Sequence, residues 1–395
     1  MKILVLCERV DAEGGTETYL RTLLPALRAR GHDVWVAARF ASRPDAYGVP
    51  VETIAWSDEH DPPSPHAAAA VARLCASFAP DVAAVHNVLD AGVLASARTN
   101  VRRVAYHLHD HRPFCPNGDR LYPQGGGICS VAMGIGACGF HALVNGCGYG
   151  PRPRTLALIR LRERVAHAVA DADATIALSQ YVAGIARRNG VPAERMFVVK
   201  PALEDAAFAN APSPRPPEDV VLFAGRVVPS KGARSLVRAL ASIAPEVRPL
   251  LRIAGDGPDL GDALDDARAR SVRAEWLGRI DAAAVRDAFD AATLVAMPSL
   301  WGEPFGLVGI EAFARGRPVV AYDAGAIGEW LAPSGAGRAV PLRDELALGA
   351  AIADLLDAGA WKRASANALA AAGPYRLPAH VARIEALYAG GRQDR

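Results

Sequence analysis

Residues 298–312 read Pro-Ser-Leu-Trp-Gly-Glu-Pro-Phe-Gly-Leu-Val-Gly-Ile-Glu-Ala. An apolar run at 293–297 precedes this stretch, and Gly-Arg-Pro-Val-Val at 316–320 follows it. The pattern predicts a strand over 293–297, a loop, a helix from Leu307 to Arg315 and a strand over 318–322. A strand, a helix and a second strand in that order form a parallel α/β unit. Glu303 falls on the loop and Glu311 one turn into the helix. A helix start beside Gly306 leaves backbone N–H groups free for phosphate oxygens. Carboxylates next to it suit sugar and ribose hydroxyls. The plainer reading of each acid alone is a solvated charge near a helix end.

The pattern repeats upstream. A strand over 220–224 ends in Gly225-Arg226, and Lys231-Gly232 follows before a helix over 235–243. Backbone amides, an Arg fork and a Lys ammonium there suit an anionic ligand, although two surface cations on a loop read equally well. Gly255-Asp256-Gly257-Pro258 follows a strand over 250–254. Its spacing is wrong for a dinucleotide fingerprint, so it reads as a turn. With a helix over 281–292, this half is an open parallel sheet, and such sheets bind ligands beyond the carboxyl ends of their strands.

Residues 210–218 hold four prolines and read as a linker. Before them lies a second Rossmann-like pattern. A buried strand over 3–6 leads to Gly14-Gly15, with Thr16 as the expected helix cap. Leu20, Leu23, Leu24 and Leu27 recur at helical spacing, and Gly31 ends the helix. Further strands are expected at 34–37, 82–85, 103–107, 174–178 and 196–199. The organisation expected is a first domain over 1–209, a second over 219–373, and a last helical segment over 374–395. A cleft between two such domains would bring two substrates together.

A chain of 395 residues with 51% hydrophobic residues can fill two cores. Its 44 Lys+Arg and 42 Asp+Glu nearly cancel, which argues against nucleic acid. The local exception is 98–164, with ten Arg and three acids. Neither a leader nor a membrane span is visible, so the expected location is cytoplasmic, with peripheral contact at the inner membrane surface as an option. Six cysteines in that setting stay reduced or bind metal. Cys115, Cys129, Cys138 and Cys147 lie among Gly, Pro and Asn in an insert over 112–151. A structural zinc ion, disulfides and free thiols all remain open for them. Cys7 and Cys75 read as core. Arg152, Arg154, Arg160, Arg162 and Arg164 run onto a helix, either as a solvated face or as a dock for an anionic surface.

These motifs together resemble glycosyltransferase family 4, retaining enzymes of the GT-B fold. The resemblance spans nearly the whole chain. It rests on Gly14-Gly15-Thr16-Glu17, on Gly-Arg-Val-Val-Pro-Ser-Lys-Gly at 225–232, on Ala-Gly-Asp-Gly-Pro at 254–258, and above all on the Glu-x7-Glu segment ending at Glu311. It implies an α/β fold of two Rossmann-like domains facing across a cleft, with the last helix returning to the first domain. It also implies transfer of a sugar from a nucleoside-diphosphate sugar to an acceptor hydroxyl, without a catalytic cofactor. Arg226 and Lys231 match the pair that holds the donor diphosphate. Glu311 matches the acid on the ribose, and Glu303 the acid near the donor sugar. Phe305, Gly306, Leu307 and Val308 would offer backbone amides, Arg279 would frame the base, and Gly15 would approach the phosphates. His109 matches the family's cleft histidine, with His107 as the neighbouring alternative.

The chain departs from the family at Lys200-Pro201-Ala202-Leu203-Glu204, at Ala324-Gly325-Ala326 and in the insert, which bears on the acceptor side. No Asp-x-Asp metal motif is placed for catalysis, since Asp171-Ala-Asp173 reads as a helix-to-strand boundary. The readings set against transfer are an epimerase or phosphorylase of the same fold, and a catalytically silent sugar-nucleotide-binding partner.

Overall fold

The computed structural model describes residues 1–391, except 11–13, 43, 44, 58, 59, 125, 149–151 and 210–213. The first four residues of the proline-rich linker thus lie outside the described residues. Contacts divide the chain into two compact units. One holds Met1–Ala202 with Leu377–Arg395, and the other holds Leu203–Arg376.

In the first unit the strands are β1 (Lys2–Arg9), β2 (Asp33–Phe40), β3 (Asp45–Ala46), β4 (Val49–Thr53), β5 (Val82–His86), β6 (Val104–Leu108), β7 (Ala174–Ala177) and β8 (Met196–Val198). They lie in the order β3-β4-β2-β1-β5-β6-β7-β8, parallel except for the β3–β4 pair. Ile3 to Cys7 are all at most 1% exposed. A strand covered on both faces needs a continuous apolar run, which is why this sequence shows no alternation. The short β3 and β4 lie at one edge, where no periodic pattern marks them.

The helix Gly15–Ala29 buries Leu20, Leu23, Leu24 and Leu27 as the spacing predicts. Its cap is Gly14 and not Thr16. The Thr16 side chain lies inside the helix, where its hydroxyl accepts a hydrogen bond from Asn87 Nδ2 at 2.8 Å. The closing helix Leu377–Tyr388 packs Val381, Ile384, Leu387 and Tyr388 into the core made by Ile3, Val5, Leu20 and Leu24. Burial of four such side chains is worth about 1.5–3 kcal/mol each, enough to hold a C-terminal helix on this unit.

The second unit has β9 (Val220–Ala224), β10 (Leu250–Ala254), β11 (Ala274–Gly278), β12 (Leu294–Met297), β13 (Val319–Tyr322) and β14 (Gly337–Val340), in the order β11-β10-β9-β12-β13-β14. All of its pairs are parallel. The sheet order reverses between β9 and β12, so the loops after these two strands diverge at a switch point. The 307–315 helix expectation is met by Leu307–Ala314.

Candidate active site

The loop after β9 is braced by its neighbour. Gly225 N–H donates to the Ala254 carbonyl and Val227 N–H to the Asp256 carbonyl, both at 2.9 Å, while Asp259 N–H donates back to Val227. The Gly255-Asp256-Gly257-Pro258 segment is therefore a turn that holds 225–227 in place. Arg226, between two fixed backbone groups, is exposed.

The same loop then closes on the loop after β12. Leu300 N–H donates to the Ser230 carbonyl at 2.8 Å. Gly232 has φ +74°, and a Cβ there would stand 2.0 Å from the Pro298 carbonyl oxygen. Only glycine permits this approach. Its result is a contact 72 residues apart in sequence: Lys231 Nζ lies 2.5 Å from Glu303 Oε1. Ser299 Oγ donates to the same oxygen at 2.5 Å and Trp301 Nε1 at 2.9 Å. The Lys231 ammonium also sits 5.2 Å from the Trp301 ring centre.

Glu303 is only 3% exposed. Burial by itself would raise its carboxyl pKa, but the Lys231 charge and the three donors outweigh burial and hold it below the ordinary value. Its backbone is fixed too. Glu303 pairs with Gly325 in a parallel bridge, and Ala326 N–H donates to the Glu303 carbonyl. Gly325 has φ +70°, with backbone atoms of Glu303 2.5 Å from where a Cβ would be. The Ala324-Gly325-Ala326 variant thus keeps a glycine at the position where the fold requires one.

Gly306 caps the helix Leu307–Ala314, on which Glu311 is half-buried. Phe305 is buried and its carbonyl accepts from Trp330 Nε1 at 2.8 Å, while Leu307 and Val308 are partly exposed in the first turn. Arg279, just past β11, is exposed. The structure joins Lys231 to Glu303 directly. It puts Arg226, Arg279 and the start of the Leu307–Ala314 helix at carboxyl ends of the same sheet.

In the first unit, Gly15 opens its helix and His109 follows β6. His86 and His107 are register partners on β5 and β6, so their rings stack at 4.1 Å. His86 Nδ1 lies 2.9 Å from His109 Nε2, and His107 Nε2 lies 2.9 Å from the Tyr388 hydroxyl. His380 Nδ1 must donate to the Lys200 carbonyl, so its neutral ring accepts the Tyr19 hydroxyl at Nε2. Burial, opposed by the Asp110 charge and helped by Arg112 and His380, lowers His109 to about 4, and burial lowers His380 to about 4. These rings are neutral at physiological pH.

Ligand atoms of His86, His107 and His109 lie within 4.8 Å of one another. Parallel stacking and a nitrogen pair at 2.9 Å fit a hydrogen-bonded stack better than a zinc site. Bonds of 2.0–2.1 Å would hold nitrogens roughly 3.3 Å apart, with lone pairs convergent.

Sequence reasoning missed Ser299 and Trp301, His86, and Asn87. Asn87 has φ +57°, donates to Thr16 and to Asp110 Oδ2, and leaves its own buried Oδ1 unpartnered. The signal was His86-Asn87 at the end of a strand next to the one carrying His109. Of the arginine run, Arg162 is buried, against the solvated reading, while Arg154, Arg160 and Arg164 are exposed. Cys7 and Cys75 are core, and Cys115, Cys129, Cys138 and Cys147 are partly buried.

Residues 13–206 match the model of Glycosyltransferase Family 4, and residues 218–358 that of Glycosyl transferases group 1. A phosphatidyl-myo-inositol mannosyltransferase of Mycolicibacterium smegmatis is 38% identical over 160 residues, 38% of this chain and 40% of that protein. A D-inositol 3-phosphate glycosyltransferase of Jonesia denitrificans is 34% identical over 170 residues, 38% of this chain and 40% of that protein. The match thus spans about two fifths of the length of these curated relatives. Among solved structures, sucrose-phosphate synthase from Thermosynechococcus elongatus aligns with TM-score 0.75 at 20% identity over 98% of each chain. Anabaena HepE in complex with UDP-glucose aligns with TM-score 0.74 at 20% identity, over 98% of this chain and 99% of that one. The fold is the GT-B type.

Proposed function

Because the chain belongs to glycosyltransferase family 4, we propose that it moves a sugar from a nucleoside-diphosphate sugar to an acceptor hydroxyl, with retention and without a catalytic metal. The observation that carries this reading is the buried Glu303 carboxylate held by Lys231, Ser299 and Trp301 beside the start of the Leu307–Ala314 helix. Lys231 and Arg226 bind the diphosphate and stabilise the charge that grows on it as the sugar leaves. A phosphate oxygen competes with Glu303 for Lys231, so donor binding frees the carboxylate to take a sugar hydroxyl. Glu311 accepts the ribose hydroxyls, and amides of Phe305 to Val308 meet phosphate and sugar. Arg279 frames the base.

No enzymic nucleophile is assigned. The leaving phosphate takes the acceptor proton as the new bond forms on the face it vacates. The insert over 112–151, which follows β6, serves the acceptor. The test is a panel of nucleotide sugars, UDP-glucose first, each with and without candidate acceptors. Transfer with the anomeric configuration kept, and undiminished by EDTA, is expected. An inverted product or an absolute need for added Mg²⁺ overturns the reading.

A peripheral contact with an anionic bilayer is part of the same proposal. The helix Ile135–Val144 buries none of its residues, and Phe140 and Leu143 are 59% and 62% exposed. It packs on the helix Arg152–Ala170, which exposes Leu156, Arg154, Arg160 and Arg164. Apolar side chains flanked by cations suit insertion between anionic headgroups. Among the described residues no helix is long and apolar enough to cross a membrane.

A further inference from the structure

Cys115, Cys129, Cys138 and Cys147, spread over 33 residues of sequence, line a single cavity of about 30 Å³. We propose that this cavity is a structural zinc site closed by the four thiolates. Its volume suits one ion or one or two waters and no organic ligand. The rest of the lining includes Phe114, Val131, Met133 and Ile159, with no carboxylate. His141 also reaches it, but both of its ring nitrogens are engaged, Nδ1 by Asn145 at 2.6 Å and Nε2 by Tyr122 at 3.3 Å. The ligand set is therefore the four sulfurs, the donors zinc prefers in structural sites.

Burial raises the Cys115, Cys138 and Cys147 thiols above their ordinary value, so only a cation would hold them as thiolates, and two features of the lining suit one. First, three of the four sulfurs are already met by hydrogen-bond donors. Backbone amides of Arg120 and Asn117 donate to Cys115, the Gly134 amide to Cys138, and the Tyr122 side chain bonds Cys129. Donors of this kind orient and stabilise metal-bound sulfur. Second, Arg120 lines the cavity and is 2% exposed, yet all its hydrogen bonds end on carbonyls of Phe114, Cys129 and Val131. A guanidinium buried without an anion is costly. A zinc tetrathiolate, with net charge of two minus, supplies the missing counter-charge.

The insert also needs a cross-link. The helix Ile135–Val144 has no buried residue, and the segment before it is mostly irregular. Such a segment cannot order itself by burial. No three of these sulfurs yet stand within 4.8 Å of one another. Binding draws them inward, toward the ~3.8 Å separations that Zn–S bonds of about 2.3 Å impose. Each thiol loses its proton to solvent as its sulfur bonds the metal, so one Zn²⁺ displaces four protons.

The experiment measures zinc by mass spectrometry of the purified full chain, with thiol titration before and after denaturation in chelator. We expect close to one zinc per chain, four thiols released only with the metal, and sulfur-to-metal charge-transfer bands after Co²⁺ replacement. Cys138→Ser should lower retained zinc by more than about tenfold. If that variant fails to fold, the wild-type metal content and cobalt spectrum still decide. A metal-free chain with all thiols free overturns the proposal, as does a chain lighter by the hydrogens of two disulfides.

Discussion

The pairing of Lys231 with Glu303 makes a quantitative demand on the second unit. Replacing Lys231 by Met leaves Glu303 buried without its cation, and replacing Glu303 by Gln leaves the cation without its anion. At an effective dielectric constant near 20, charges roughly 3 Å apart attract by about 5 kcal/mol. Desolvation of Glu303 and the partial exposure of Lys231, 26% at its side chain, offset much of this. The expected coupling is about 2 kcal/mol. Lys231→Met should cost about 3 kcal/mol, because removing one partner of a buried pair strands the other. The double variant should be more stable than the sum of the two single losses implies.

The assay is urea unfolding of the four proteins, followed by hydrogen exchange in peptides of residues 203–376, so that the first unit does not blur the transition. Each variant is also titrated with donor. The reasoning fails if the coupling is within about 0.5 kcal/mol of zero, the scatter seen for independent sites. It fails equally if Lys231→Met leaves donor affinity unchanged.

Acid should weaken the first unit before the second. An unfolded histidine charges below its ordinary 6.5, whereas native His380 and His109 resist until about 4. The unfolded state therefore holds the extra protons in that window, and stability falls as pH drops from 6.5 to 4. The loss is about 3 kcal/mol for His380 and less for the partly exposed His109, read by hydrogen exchange in peptides of 1–202; a flat profile there refutes the neutral stack. Glu303, held below its ordinary 4.5, keeps its contribution until lower pH. Gly325→Ala should destabilise the second unit by more than about 2 kcal/mol, since its Cβ would overlap the Glu303 backbone; wild-type denaturant resistance would contradict this. Phe140→Asp with Leu143→Asp should abolish co-sedimentation with anionic vesicles while donor hydrolysis persists, and unchanged sedimentation would remove the bilayer contact.

Much of this was legible locally. Apolar runs at 220–224 and 250–254 are the strands found, to the residue. A strand covered on both faces must be apolar throughout, and glycine or proline punctuates its ends, so the signal is contained in a few adjacent residues. The same holds for the Glu-x7-Glu segment, whose loop and helix start are set by local spacing. Where the sequence erred, as with Thr16, a tertiary partner took the side chain that a local rule had assigned to the helix end.

The chemistry between elements was not legible. Lys231 meets Glu303 because Gly232 lets one strand-end loop close on another, and no local pattern records that distance. His86 stacks on His107 because parallel neighbours align these two residues in register, which the packing of the whole sheet decides. Cys115 and Cys147, far apart in sequence, face one cavity only once the insert has folded. Periodicity states which side of an element is buried; what it is buried against depends on long-range register, and only the folded chain fixes that.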